Sequence, residues 1–218
     1  MSESQAPKPT PQLSAWTGSF GDAYVDRNGP AETGLRERVR GYSRILAATD
    51  GDPARSILEC GCNLGLNLRA LRRLTDAELM AVEPNARARA RVLEDGVLPA
   101  SHLHDATLSA LPFPDASVDL VFTCGVLIHV PPEHIEQAAR EVHRVARKYV
   151  LAVEYFSQKP TSAPYRGEDA LMWKRDFGGL YLDLFPDLIP IDTGFMWKRT
   201  TGWDDANWWL FRKPGILR

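Results

Sequence analysis

Cysteine is scarce in this chain, with three in 218 residues. An odd, small set makes no even disulfide framework. Cys60 and Cys62 stand one residue apart, yet no second Cys or His pair follows at ligand spacing, so no metal is expected. The plain reading is buried thiols in a reducing, cytoplasmic setting. Long apolar runs are also missing: none approaches the ~20 residues that span a bilayer. Residues 1–12 are polar and Pro-rich, without the apolar stretch of a secretory signal, so no membrane partner is expected. Charge of one sign is lacking too. A net charge of −2 gives no general attraction for nucleic acid, and no nucleic-acid partner is expected. No internal repeat and no second domain are visible. What remains, 44% apolar and 25% charged, is ordinary for a soluble globular protein, and the length is ample for a sizeable core.

The most informative stretch is RSILECGCNLG, residues 55–65. A short apolar run, Ile57-Leu58, ends in Glu59. A glycine-punctuated turn follows, Gly61-Cys62-Asn63-Leu64-Gly65, and then a helical pattern. Strand, acid, glycine turn and helix is how an α/β protein sets a nucleoside ligand at the carboxyl end of a strand. Twenty-four residues after Glu59, the run Leu79-Met80-Ala81-Val82 also ends in an acid, Glu83, followed by Pro84-Asn85. Two acids on neighbouring strand tips suit a ligand with a cationic amino acid end and a ribose diol, and S-adenosylmethionine (SAM) has both. The dinucleotide fingerprint would need Gly at 63 and 66, where Asn63 and Leu66 stand, which disfavours a nicotinamide cofactor.

The apolar pattern predicts a helix over 34–49, strands at 55–60, 78–83, 101–104, 118–123 and 148–155, and helices at 64–74, about 85–95 and 131–146. Strands alternating with helices predict a mostly parallel sheet covered on both faces. Residues 1–13 read as a disordered tail and 14–218 as one domain. Within it, 14–50 form a cap, with an ordered loop at 16–30 and then the helix. Residues 157–185 form an insertion on the acceptor side, a polar loop and then a helix over 168–185. Two strand-like runs, 191–199 and 206–212, close the chain as an antiparallel hairpin.

Asp105, in His104-Asp105-Ala106-Thr107 just past the third strand, is placed to accept from an adenine amino group. Cys124-Gly125-Val126-Leu127-Ile128-His129 leaves the fourth strand tip after a proline-stiffened loop, Leu111-Pro112-Phe113-Pro114.

ILECGCNLGLNL, AVEPN, LPFPDASVDLVF and CGVLIHVPP resemble class I SAM-dependent methyltransferases. WTGSFGDAYVDRN, WKRDFGGLYLDLFPDL, GFMWKR and DDANWWLFRK are similar to the methylases associated with pseudaminic acid biosynthesis. The resemblance implies a Rossmann-like, doubly wound, mostly parallel seven-stranded sheet with a C-terminal antiparallel hairpin, and SAM as cofactor with S-adenosylhomocysteine (SAH) as product. It assigns Glu59, Gly61, Asn63 and Gly65 to the methionine portion and Glu83 to both ribose hydroxyls, with Cys62, Pro84 and Asn85 also in the cofactor site. Asp105 and Ala106 go to adenine, and Cys124, Gly125 and Val126 to the floor beneath the sulfonium. One departure is Asn63, where many such enzymes have glycine.

The acceptor belongs beyond the carboxyl ends of the strands. Tyr24, Arg27 and Asn28 from the cap, Tyr155, Tyr165, Arg166 and Arg175 after the fifth strand, and Trp197, Lys198 and Asp205 near the last turn are the candidates, with His129 beside them. Arg166 and Arg175 are able to clamp a carboxylate or phosphate. A hydroxyl or ammonium acceptor needs a general base. His129 is the first choice because it titrates near neutrality, with Glu154 and Asp204 as rivals. The expected activity is methyl transfer to O or N of a small, polar, anionic sugar or amino acid derivative, in specialised or surface-glycan biosynthesis. The alternatives are a SAM-binding accessory protein without turnover and a nucleotide-dependent oxidoreductase. The sequence leaves the oligomeric state open, a homodimer included.

Overall fold

The computed structural model describes residues 10–28, 32–166 and 168–215. Seven strands form the main sheet: β1 (Ser56–Cys60), β2 (Glu78–Val82), β3 (Leu103–His104), β4 (Val118–Cys124), β5 (Ala146–Glu154), β8 (Ile189–Met196) and β9 (Ala206–Arg212). Their order is β3-β2-β1-β4-β5-β9-β8. Strands β1 to β5 run parallel, while β9 lies antiparallel to both its neighbours. Parallel strands buried on both faces read as apolar runs, and their alternate residues feed two cores. On β5, Leu151 and Val153 join one core while Val150 and Ala152 join the other.

The helices cover those two faces. α3 (Glu32–Ala47) and α4 (Leu66–Leu71) pack on one side through Tyr42, Ile45, Leu68 and Leu71. α6 (Ile135–Val145) and α7 (Phe177–Leu184) pack on the other through Ala138, Val142, Phe177 and Tyr181. α5 (Ala86–Glu94) is started by Asn85, whose side chain accepts from the N–H of Ala88 at 2.8 Å. Asp119, fully buried on β4, accepts from the backbone of Arg55 (2.8 Å) and from the Arg147 side chain (2.7 Å), pinning the lower end of the sheet.

Four regions depart from the sequence reading. Pro11–Leu13, taken for tail, are the first turn of helix α1 (Pro11–Thr17), capped by Thr10; the rest of that tail lies outside the described residues. The supposed loop at 16–30 is largely helix α2 (Ser19–Arg27), joined to α1 at Gly18. Trp16, Phe20 and Tyr24 are spaced by four and form one aromatic stripe, with Trp16 at 5.2 Å from Phe20 and 5.3 Å from Tyr24 between ring centres. The insertion is not loop and helix alone. Strands β6 (Thr161–Tyr165) and β7 (Glu168–Lys174) form a separate antiparallel hairpin. Asp176, accepting from the N–H of Gly179 at 2.8 Å, starts α7 only after that hairpin. Finally, α6 begins at Ile135 because two prolines, Pro131 and Pro132, hold the preceding chain in a turn.

One close approach ties α3 to the site. Gly41 lies under the Trp203 ring, and a β-carbon there would sit 2.3 Å from it. Gly to Ala inside a helix normally stabilises by about 1 kcal/mol. Overpacking costs about 1–3 kcal/mol and wins at this position. Gly41→Ala is therefore expected to lower the melting temperature by about 2–4 °C, read by differential scanning calorimetry; an unchanged or higher value contradicts the packing.

Candidate active site

The carboxyl ends of β1, β2 and β4 open onto one cavity of about 680 Å³. Its floor is the turn after β1. Gly61 has φ 78°, and a β-carbon on it would lie 2.7 Å from Val126, so any other residue is both strained and crowded. Asn63 takes φ 47°, the left-handed conformation that asparagine tolerates best among the non-glycine residues. That resolves the departure noted in the sequence: Asn63 keeps the glycine-like backbone, and its side chain lines the cavity.

Glu83 fixes this turn. Its Oε2 accepts from the N–H of Asn63 at 2.7 Å, and its Oε1 from the N–H of Asn85 at 2.9 Å. The residue is 6% exposed and lines the cavity. Burial raises its pKa, and the two N–H donors oppose that shift. A carboxylate held in this way keeps lone pairs for a pair of ligand hydroxyls.

Glu59 lies behind the turn, buried, and does not line the cavity. Its Oε1 accepts from Asn67 Nδ2 at 2.6 Å, while its Oε2 is buried with no partner among the described residues. Burial raises its carboxyl to about 8. Arg38, on the cavity wall, donates from Nε to Asn67 Oδ1 at 2.9 Å and stands 5.3 Å over the Trp203 ring. Trp203, Arg38, Asn67 and Glu59 thus form one chain that carries a cation to the wall and an unpartnered acid to the turn. Sequence reading missed Arg38, since Arg36, Arg38 and Arg40 read equally as a solvated helix face.

Other expected cofactor residues divide. Pro84, Asn85, Ala106, Cys124, Gly125 and Val126 line the cavity. Burial pushes the Cys124 thiol up to about 12, so it stays protonated. Cys62 is buried away from the cavity, and Gly65 starts α4 at φ 69°. Asp105 turns outward: its side chain is 68% exposed and pairs with Arg89 at 2.7 Å. The wall beyond Ala106 is built by Thr107, Leu108 and Ser109 instead.

The outer part of the cavity is roofed by α1 and α2. Trp16 accepts through its carbonyl from Asn85 Nδ2 at 3.0 Å, and Asp22 accepts from the same nitrogen at 3.0 Å. The cap therefore hangs on the residue that starts α5. Tyr24 and Asn28 from the cap, Tyr155, Tyr165 and Arg166 from beyond β5, and Asp204 line this part. Arg27 is exposed and stands off the wall, and so do Arg175, Trp197, Lys198 and Asp205. Asp205 accepts from the N–H of Lys198 at 2.8 Å, closing the turn before β9.

The three candidate bases sit differently. His129 lines the cavity between Trp16 (4.6 Å) and Tyr165 (4.8 Å), with Nδ1 2.6 Å from the Leu171 carbonyl. Nδ1 therefore donates, and Nε2 carries the lone pair. Burial lowers its pKa to about 4. Glu154 is fully buried and off the cavity, accepting from the N–H groups of Val126 (3.2 Å), Leu127 (3.1 Å) and Ile128 (3.4 Å). It shapes the turn at the cavity floor and does not reach the cavity. Asp204 accepts from the Tyr155 hydroxyl and pairs with Lys198 at 3.6 Å.

Glycine turn, acid on the second strand tip and a reversed last strand define a nucleoside-binding doubly wound fold of one kind. Residues 58–152 match the model of a methyltransferase domain family. The fold resembles that of magnesium protoporphyrin IX methyltransferase from Synechocystis, solved with bound SAM. That likeness has 14% identity, 96% of this chain and 100% of the other covered, and TM-score 0.66. It also resembles 1,6-didemethyltoxoflavin-N1-methyltransferase from Burkholderia thailandensis, solved with SAH and its acceptor. There the values are 18%, 96% and 92%, with TM-score 0.67. A search of curated proteins finds no match. Over residues 58–152 the chain thus carries the pattern of a methyltransferase domain, on a fold shared with SAM-dependent methyltransferases. The site fits SAM on its own terms, because the open Glu83 carboxylate and the Arg38 cation on the same cavity wall are what a ribose diol and an amino acid carboxylate require. Among the described residues, no group of His, Cys, Asp and Glu is placed to hold a metal ion.

The Glu59 carboxyl carries a pH signature. Folding lifts it from 4.5 to about 8. The folded state thus keeps a proton that the unfolded chain releases over that interval, and stability falls as pH rises through it. Glu59→Gln removes this loss. Without ligand, the variant is expected to melt above the wild type at about pH 8, with the gap closing towards about pH 4.5, while its affinity for SAH drops. A pH-independent gap in thermal melts contradicts the assignment.

Proposed function

We propose that the protein moves the methyl group of SAM to an oxygen or nitrogen of a small, polar, anionic metabolite. The observation that carries this reading is the Glu83 bridge: a buried carboxylate on the cavity wall, with both oxygens anchored to backbone N–H groups. SAM, when bound, supplies a methyl group on a cationic sulfur. Glu83 holds the ribose hydroxyls, and Leu108 and Ala106 pack against the base. Arg38 offers a cation to the carboxylate of the amino acid end, and Glu59, behind the turn, holds the Asn67 side chain that orients Arg38. The β4 turn, tied down by Glu154, keeps the floor rigid under the reacting centre, and such positioning supplies much of the rate in a displacement. Above it, the cap shuts out water through Trp16 and Leu13, and Arg166 presents a cation to the acceptor. The resemblance to the methylases associated with pseudaminic acid biosynthesis supports a sugar acid as that acceptor. No helix among the described residues is long and apolar enough to cross a membrane.

Titration calorimetry tests the cofactor. SAH is expected to bind the wild type, and Glu83→Ala to weaken it by about 10–100-fold, the worth of one or two hydrogen bonds to a charged group. Absence of SAH binding refutes the reading. Arg38→Gln separates the two ends of the ligand. It is expected to weaken SAH by about tenfold and to leave 5′-methylthioadenosine, which lacks the amino acid end, unchanged. An equal loss for both ligands contradicts the role given to Arg38.

A further inference from the structure

The acceptor half of the cavity has a cation and flat walls, and it lacks a strong base. Arg166 stands 5.3 Å over the Tyr24 ring and 5.7 Å from that of Tyr165. No carboxylate pairs with it among the described residues. Its backbone sits at φ 52°, which turns the residue out of the hairpin path where Tyr165 pairs with Glu168. The remaining wall is aromatic: Trp16, Tyr24, Tyr165 and Tyr155, with the His129 imidazole between Trp16 and Tyr165.

Beside Arg166 and its rings, each group able to take a proton is weak or engaged, while His134, at the start of α6, also lines the cavity. His129 has its Nδ1 committed to the Leu171 carbonyl, and burial brings its pKa to about 4. Asp204 already accepts from Tyr155 and pairs with Lys198. Glu154 lies behind the β4 turn on three backbone N–H groups. Tyr24 is held protonated, its pKa raised to about 12 chiefly by burial. A base so weak is poorly matched to an alkyl alcohol, since efficient proton transfer needs donor and base of comparable strength. It suffices for a proton that the acceptor itself gives up readily.

We propose that the acceptor is a flat ring compound carrying an ionised acidic group, methylated on a phenolic or enolic oxygen or a ring nitrogen and not on a sugar hydroxyl. The acidic group lies on Arg166, and the ring packs among Trp16, Tyr24 and Tyr165. The lone pair of the acceptor atom forms the new bond to the methyl carbon, and the carbon–sulfur pair stays with sulfur. The acceptor proton passes to His129 Nε2 or to water. This rests on the methyltransferase reading above and departs from the sugar acid that the sequence resemblance supports.

The test is calorimetry on protein saturated with SAH, so that failure of SAH to bind is recorded first and counts against the cofactor reading alone. The probes are 3,4-dihydroxybenzoate and kynurenate as flat hydroxy acids, catechol as the uncharged ring, and N-acetylneuraminate and glucuronate as sugar acids. At least one flat acid is expected to bind about tenfold more tightly than either sugar acid. Arg166→Gln, an exposed position, is expected to cost the flat acids about tenfold and leave catechol and SAH unchanged. Sugar acids binding as well as or better than every flat acid overturn the proposal. So does Arg166→Gln leaving the flat acids unaffected.

Discussion

Two hydrogen bonds accepted by one carboxylate organise this molecule. Glu83 accepts from Asn63 at the end of the β1 turn and from Asn85 at the start of α5, so a single buried side chain sets the spacing of two strand tips. Asn85 extends the same bridge outward. Its Oδ1 starts α5 through Ala88, and its Nδ2 binds Trp16 and Asp22 of the cap. Floor, wall and roof of the cavity therefore share one residue pair. A carboxylate is expensive to bury, and here the desolvation is offset by backbone donors while lone pairs remain for a ligand.

The three acids at strand ends show how position divides labour. Glu59, Glu83 and Glu154 all stand at the carboxyl end of a parallel strand. Glu83 faces the cavity, while Glu154 is consumed in holding the turn of Val126, Leu127 and Ile128. Glu59 has one oxygen satisfied by Asn67 and one left bare. A bare buried oxygen costs folding energy unless the group takes a proton, which is why its carboxyl rises to about 8.

Much of the architecture was legible in the sequence. Strands buried on both faces appear as apolar runs, and the glycine turn after the first strand and the acid after the second announce the cavity that they line. The cap was misread because glycine at 18 and 21 suggests a loop. The aromatic spacing of Trp16, Phe20 and Tyr24 was the competing helical signal, and Gly21 is there for the close approach of α2 to the Trp16 carbonyl. β7 was misread as helix because Leu171-Met172-Trp173 is apolar without alternation, and only its pairing with Ala163 and Ser162 makes it a strand. Which charged residues reach the cavity was not legible. Lys198 and Asp205 bond each other's turn, Asp105 goes to Arg89, and Arg38 enters from a helix that sequence leaves free to rotate. Those outcomes depend on register and on distant partners, which one chain's local pattern does not encode.

The central claim is that Glu83 and Arg38 hold the ribose and the amino acid end of one sulfonium nucleoside. A crystal structure of the protein grown with SAH tests it most directly. Both ribose hydroxyls are expected within about 3 Å of the Glu83 oxygens, with the ligand carboxylate directed to Arg38. A nucleoside bound elsewhere in the cavity, or a ribose that leaves Glu83 untouched, would contradict the account.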